Sequence, residues 1–305
     1  MSMRPAGTGP GRPKTTVLTL AEKHDRHEPI TMLTAYDFPT ARVADEAGLD
    51  AILVGDSLAM VVLGHPNTLA VTMDEMLHHA RAVSRAAHGA LLIGDMPFMS
   101  YQADTAEAVR NAGRFLQEAA MDAVKLEGGR RYAETARAIV GAGIPVHGHI
   151  GLTPQSVNAL GGFRVQGRSA EAASELLDDA LALEDAGCFA LVLESVPDRL
   201  AAHITERLHI PTIGIGAGPA TSGQVLVSHD LLGLYDGRSP KFAKRYAELG
   251  EATRAAFQAF RAEVEAHAFP GREHSYAMPD AEWEAFLGRQ RAPTGRPLRV
   301  VKKRP

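Results

Sequence analysis

Ala51-Ile52-Leu53-Val54-Gly55-Asp56, Leu91-Leu92-Ile93-Gly94-Asp95, Ala123-Val124-Lys125-Leu126-Glu127, Val146-His147-Gly148-His149 and Ala190-Leu191-Val192-Leu193-Glu194 share one layout. Each is a short apolar run that ends on an ionisable side chain, followed by a turn rich in Gly, Pro or Ser and then a helical stretch. An apolar run without polar alternation reads as a strand covered on both faces, as in parallel sheets under helices. If such a sheet closes on itself, the C-terminal strand ends open into one mouth. Asp56, Asp95, Glu127, Glu194, a lysine and a histidine would then share one pocket.

Outward from these runs the alternation continues. Ile30 to Tyr36 reads as the first strand, stopped by Asp37, and a short lead-in helix is expected over 17–25. Helices are expected near 39–47, 74–87, 104–119, 131–141, from the Ser169 cap to about 186, and 198–208. Strands at 212–216 and 231–235 bring the number to eight. The fold class is therefore α/β, a (β/α)8 barrel, with an open doubly wound sheet as the alternative. From about 241 the pattern is purely helical, with helices expected at 241–246, 250–267 and 279–289, so the barrel carries extra C-terminal helices. The expected organisation is a disordered leader over 1–14, a catalytic barrel over 15–275 and a C-terminal extension with a basic tail over 276–305.

Composition narrows the function class. The chain has 305 residues and a net charge of −4, so it is not a nucleic-acid binder as a whole. Seven basic and no acidic side chains lie in 289–305, and three basic ones in 1–14; without these ten charges the body carries about −14. The tails read as solvated and disordered, with an anion-touching tail as the alternative. One cysteine, Cys188, excludes an intrachain disulfide and a Cys-rich zinc site, and reads as a buried filler. No signal peptide and no membrane-length apolar run is present, so a cytoplasmic protein without a membrane partner is expected.

Asp56, Asp95 and Glu127 come from three strand ends. Oxygen-only donors suit a hard cation such as Mg2+ that keeps waters and takes substrate oxygens; the alternative for any one of them is a loop hydrogen bond. Lys125 lies two residues before Glu127, so strand alternation puts both on one face, where an ammonium needs acids or an anionic substrate beside it. His147 and His149 share a face in the same way, as catalytic or as satisfied core histidines. Glu194 follows four apolar residues; with few polar neighbours its pKa would be raised, as suits a general acid or base. Gly214-Ile215-Gly216-Ala217-Gly218 is not a dinucleotide fingerprint, since Pro219 and Thr221 break the spacing; it reads as a loop in close approach to a ligand or the mouth.

Thr34-Ala35-Tyr36-Asp37, Val54-Gly55-Asp56-Ser57-Leu58, Asp95-Met96-Pro97-Phe98, Val124-Lys125-Leu126-Glu127-Gly128-Gly129, Gly148-His149-Ile150-Gly151-Leu152-Thr153-Pro154-Gln155, Gly161-Gly162-Phe163-Arg164-Val165-Gln166-Gly167-Arg168, Leu193-Glu194 and Ile213-Gly214-Ile215-Gly216-Ala217-Gly218 resemble, in order over about 15–275, the 3-methyl-2-oxobutanoate hydroxymethyltransferase (ketopantoate hydroxymethyltransferase) family. Ala59, where the family usually has Gly, is a departure. The resemblance implies a Mg2+-dependent, aldol-type transfer of a hydroxymethyl group from 5,10-methylenetetrahydrofolate to a small 2-oxo acid, giving 2-dehydropantoate. It puts Asp56, Asp95 and Glu127 on metal-associated positions, Ser57, Asp95 and Lys125 on ketoacid-binding ones, and Glu194 on the proton acceptor; Asp56 and His149 join the candidate substrate-binding set. It further implies a homo-oligomer, a decamer with exchanged C-terminal helices. A Mg2+-dependent C–C or C–P lyase or mutase of the phosphoenolpyruvate mutase type is the alternative activity, and a scaffold or RNA-touching protein acting through the basic tail is the alternative class.

Overall fold

In a computed structural model of the chain, residues 12–234 and 240–291 are described. The strands β1 (Ile30–Thr34), β2 (Ala51–Val54), β3 (Leu91–Asp95), β4 (Ala123–Glu127), β5 (Val146–Gly151), β6 (Ala190–Glu194), β7 (Thr212–Ile215) and β8 (Gly223–Leu226) pair in chain order, and β8 closes on β1. Every pairing is parallel. This is the expected (β/α)8 barrel rather than the open sheet.

The apolar runs are buried on both faces because they serve two cores. Outward side chains such as Ile52, Val54, Leu92, Val124, Leu126, Leu191 and Leu193 pack under the helices. Inward ones, among them Met32, Leu53, Ile93, Val192, Ile213 and Val225, fill the barrel together with Leu20 of the lead-in helix Val17–Asp25. Helices Phe38–Glu46, Met73–Ser84, Thr105–Ala119, Ala133–Gly141, Ala170–Asp185 and Asp198–Arg207 follow β1 to β6 in turn. Four of them start where a side chain takes a first-turn N–H: Asp37, Thr72, Asp104 and Ser169. Such a cap is worth about 1 kcal/mol.

Two expectations fail. The eighth strand is Gly223–Leu226, not 231–235: Ser228–Leu232 is a short helix, and 235–239 lie outside the described residues. The apolar run there misled because the true strand begins at Gly223, a poor strand former, and exposes the polar Gln224. Residues 216–222 alone join β7 to β8, where a parallel crossover usually takes about a dozen or more. Gly216 and Gly218, at φ of +66° and +82°, make this short return. Likewise 241–246 is turns rather than helix; Pro240 opens it and Phe242 points to the barrel.

The chain divides into two compact units between Gly250 and Glu251. In the first, Arg12 and Lys14, assigned to the leader, hold the strand-entry side. Arg12 reaches the Gly48 and Leu49 carbonyls, and Lys14 lies 2.7 Å from Asp122 and 2.7 Å from the Ala90 carbonyl. The second unit holds most of helix Leu249–Glu265, a turn at Arg272–His274 and helix Asp280–Arg291, in which Trp283 stacks on Phe286 at 5.5 Å. Residues 1–11 and most of the basic tail, 292–305, lie outside the described residues. Among the described residues no helix is long and apolar enough to cross a membrane.

Candidate active site

The C-terminal mouth of the barrel is a cavity of about 590 Å³, and Asp56, Ser57, Asp95, Lys125, Glu127, His149 and Glu194 all line it. All seven are therefore in one place, while His147, the other histidine the sequence offers, is not among them. Register does the gathering: Asp95 pairs with Lys125, Lys125 with His147, and Glu127 with His149 on neighbouring parallel strands, so each pair faces one way. Gly151 pairs with Glu194 at the next level.

The groups form a continuous string around the mouth. Asp56, two residues past β2, donates its backbone N–H to Asp95 Oδ2 at 3.1 Å. Lys125 Nζ lies 2.7 and 2.9 Å from the two Asp95 oxygens and 3.7 Å from Glu127 Oε1. His149 stands between acids, Nδ1 at 3.4 Å from Glu127 Oε1 and Nε2 at 3.3 Å from Glu194 Oε2, though neither contact is aligned as a hydrogen bond. Ser57 Oγ shares a hydrogen bond of 2.8 Å with the Tyr36 hydroxyl. Glu194 is thus not an acid with few polar neighbours: the apolar run before it packs in the barrel wall, while its carboxylate faces an imidazole. At 16% side-chain exposure, against 3% for Glu127 and 2% for Asp95, it is the acid most open to the cavity.

Burial sets the electrostatics. It drives the Asp56 carboxyl well above the ordinary range, helped by the charges of Asp95 and Glu127, and it raises Asp95 despite Lys125. Glu127 resists the same burial because Lys125, His149 and the Gln155 N–H hold it below its usual value. Burial would lower Lys125, but Asp95, Glu127 and Asp56 outweigh it and keep the ammonium charged. For His149 burial and Lys125 act downward, and the contacts with Glu127 and Glu194 carry its pKa up to about 9. His147 is outside the mouth, wholly buried against Phe189 at 5.4 Å; burial, then Lys125 and His149, push its pKa down to about 3, so it is a neutral core imidazole. Cys188 is buried with its thiol pushed up to about 12, an inert filler as expected.

The donor set fits a hard divalent cation. Among the described residues no three His, Cys, Asp or Glu side chains already enclose a common point. Three buried carboxylates nevertheless share one ammonium, and the resulting pressure on Asp56 is what an added cation relieves. An ion with few protein ligands and the remainder from water and substrate suits this arrangement, which is the habit of Mg2+.

Sequence reasoning missed Gln155, Tyr101 and Tyr36. Gln155 Nε2 donates to Asp56 Oδ2 at 2.9 Å and its backbone N–H to Glu127 Oε2 at 3.0 Å. Tyr101 OH takes the Glu127 N–H at 3.1 Å. Gln155 was on view in the Gly148–Gln155 block, but its partners come from remote segments.

A closed parallel barrel with carboxylates, a charged lysine and an imidazole around its C-terminal mouth has the layout of a (β/α)8-barrel enzyme. Comparison with known proteins narrows the class. The family described as ketopantoate hydroxymethyltransferase matches residues 14–272. A protein of Syntrophobacter fumaroxidans (strain DSM 10017 / MPOB) named 3-methyl-2-oxobutanoate hydroxymethyltransferase is 58% identical over 259 residues, 85% of this chain and 92% of its own. One of the same name from Moorella thermoacetica (strain ATCC 39073 / JCM 9320) is 58% identical over 265 residues, 87% of this chain and 98% of its own. The chain belongs to the ketopantoate hydroxymethyltransferase family. Among solved structures, phosphonopyruvate hydrolase in complex with oxalate and Mg++ superposes with a TM-score of 0.53 at 14% identity, over 91% of this chain and 97% of that one. At that identity the likeness is of fold alone, so the lyase or mutase alternative draws on the barrel and not on the sequence.

Proposed function

We propose that this enzyme transfers a hydroxymethyl group from 5,10-methylenetetrahydrofolate to 3-methyl-2-oxobutanoate, giving 2-dehydropantoate for pantothenate and coenzyme A synthesis, as a cytoplasmic Mg2+-dependent homo-oligomer. The observation that carries this reading is the unbroken string Asp56–Asp95–Lys125–Glu127–His149–Glu194 in one cavity of a chain of this family. Asp56, Asp95 and Glu127 would hold Mg2+, which when bound supplies a Lewis acid for the keto oxygen of the 2-oxo acid.

The chain's own groups do the remainder. Lys125, kept charged by its carboxylates, sets a positive charge where negative charge develops on the substrate oxygen. Ser57 Oγ, held by Tyr36, offers a hydroxyl to the substrate carboxylate, and Asp56, Asp95 and His149 complete its enclosure. Glu194 takes the proton from C3, with His149 orienting its carboxylate. Water opens the donor's one-carbon bridge, breaking both C–N bonds and releasing tetrahydrofolate. The C3 carbon, carrying the electron pair, then bonds to that carbon at the formaldehyde level, and the oxygen it leaves as an alkoxide takes the proton back from Glu194 to give the hydroxymethyl group.

Two features support assembly. In the first unit, a groove of about 1060 Å³ opens beside β1 and β8, on the side left by the short β7–β8 return. In the second, helix Leu249–Glu265 buries none of its side chains, and Phe257 and Phe260 are 70% and 57% exposed. C-terminal helices exchanged between copies, in a decamer, would use both.

The test is product formation. Folded protein with both substrates and Mg2+ should release 2-dehydropantoate, seen by mass spectrometry. EDTA should stop turnover and added Mg2+ restore it. Folded protein giving no product, or giving it without the folate donor, would overturn the reading.

A further inference from the structure

We infer that Gln155 is a positioning residue that fixes Asp56 and Glu127, two carboxylates of the mouth, for the cation. The inference rests on the metal reading above and extends it to a side chain with no part in the chemistry. Gln155 lies in the turn Pro154–Ser156 that follows β5 and is 5% exposed.

All four hydrogen-bonding positions of its carboxamide are used. Nε2 donates to Asp56 Oδ2 and to the Met96 carbonyl, both at 2.9 Å. Oε1 accepts from Gln102 Nε2 at 3.0 Å and lies 2.8 Å from the Tyr101 hydroxyl, whose one proton is shared with the Glu127 carbonyl at 3.0 Å. A flipped amide would turn Oε1 against the Met96 carbonyl, which only accepts, and Nε2 against the Gln102 amide nitrogen, so a single orientation survives. Its backbone N–H goes to Glu127 Oε2 at 3.0 Å. The Tyr101 hydroxyl is itself held by the Glu127 N–H at 3.1 Å.

Asp56 follows β2 and Glu127 ends β4, with β3 between them, so no strand pairing ties the two together. Among the described residues, Gln155 is the one that hydrogen-bonds both carboxylates. By occupying Oδ2 of Asp56 and Oε2 of Glu127 it fixes the orientation of both carboxylates, with Glu127 Oε1 turned to Lys125 and His149. A partner that orients a metal-holding carboxylate typically carries about 10–100-fold in metal affinity or activity.

The experiment is calorimetric titration of the full chain with Mg2+ in saturating 3-methyl-2-oxobutanoate, beside turnover as a function of Mg2+. Gln155→Met keeps the side-chain length and removes every hydrogen bond of the amide. The expected result is Mg2+ affinity weakened about 10–100-fold, most of kcat recovered at saturating Mg2+, and little change in KM for the 2-oxo acid. Unchanged Mg2+ affinity, or lost kcat that Mg2+ does not recover, would overturn the inference. Should Gln155→Met not fold, Tyr101→Phe releases the amide oxygen by removing one hydroxyl; it should weaken Mg2+ in the same direction, and no weakening counts against Gln155. Wild-type protein that binds no Mg2+ would instead sink the metal reading itself.

Discussion

Lys125 is the residue on which the mouth balances. It is buried, its ammonium lies 2.7 Å from Asp95, and it stands between acids contributed by neighbouring strands. Breaking such a buried pair by removing one partner usually costs about 3–5 kcal/mol, because the remaining charge has no compensation. Lys125→Met should therefore lose that much in urea unfolding of the EDTA-treated protein, and should also lose turnover. Equal stability would mean that Asp95 takes up a proton at little expense. At this scale much was readable from the sequence, since Asp56, Asp95, Lys125, Glu127, His149 and Glu194 all follow from apolar runs that end on a charge. What alternation cannot give is the neighbour across the barrel. Hence Glu194 was expected among few polar groups while it faces His149 at 3.3 Å, and Gln155 and Tyr101 went unnoticed.

At the scale of elements, two positions tie the fold to the site. Gly151 ends β5 at φ +90°, and a Cβ there would meet the Glu194 carbonyl at 2.3 Å. Gly151→Ala should cost more than about 1 kcal/mol and displace the end of β6, lowering both the melting temperature and the rate of proton loss at C3. An unaffected rate would show that Glu194 does not depend on this close approach. On the strand-entry side, Asp45 accepts backbone N–H bonds from His88, Gly89 and Ala90 at 2.7–3.1 Å. Burial alone would raise its pKa, but these donors and Arg12 hold it below the ordinary value of about 3.9. A depressed folded-state pKa gives stability that is present above about pH 3.9 and is lost as the pH falls through the lower folded value. Asp45→Asn should thus destabilise at pH 7 by about 1–3 kcal/mol, with the gap to wild type narrowing in urea midpoints as the pH falls below the ordinary carboxylate range. The one misplaced strand belongs to this scale as well. β8 is short, begins at Gly223 and exposes Gln224, so its pairing with β1 and β7 and not its composition makes it a strand.

For the whole molecule, the barrel explains the acidic cluster and the family explains its use, while the second unit points to neighbours. Phe257, Phe260, Val264, Trp283 and Phe286 are all more than 40% exposed, more apolar surface than two helices keep in water without purpose. The pair Phe257→Asp and Phe260→Asp should lower the mass found by light scattering; an unchanged mass would separate assembly from this helix. That the chain carried extra C-terminal helices was legible from their period, whereas what covers them was not, because amphipathicity names a buried face without naming its partner. The central claim is that this mouth takes a proton from a 2-oxo acid with Glu194 as acceptor, and deuterium exchange at C3 of 3-methyl-2-oxobutanoate tests it most directly. Followed by NMR in D2O with Mg2+, wild-type protein should exchange C3, and Glu194→Gln should bind the 2-oxo acid yet exchange about 100–10,000-fold more slowly. Exchange that persists at the wild-type rate in Glu194→Gln, or none in folded, Mg2+-bound wild type, would contradict the account.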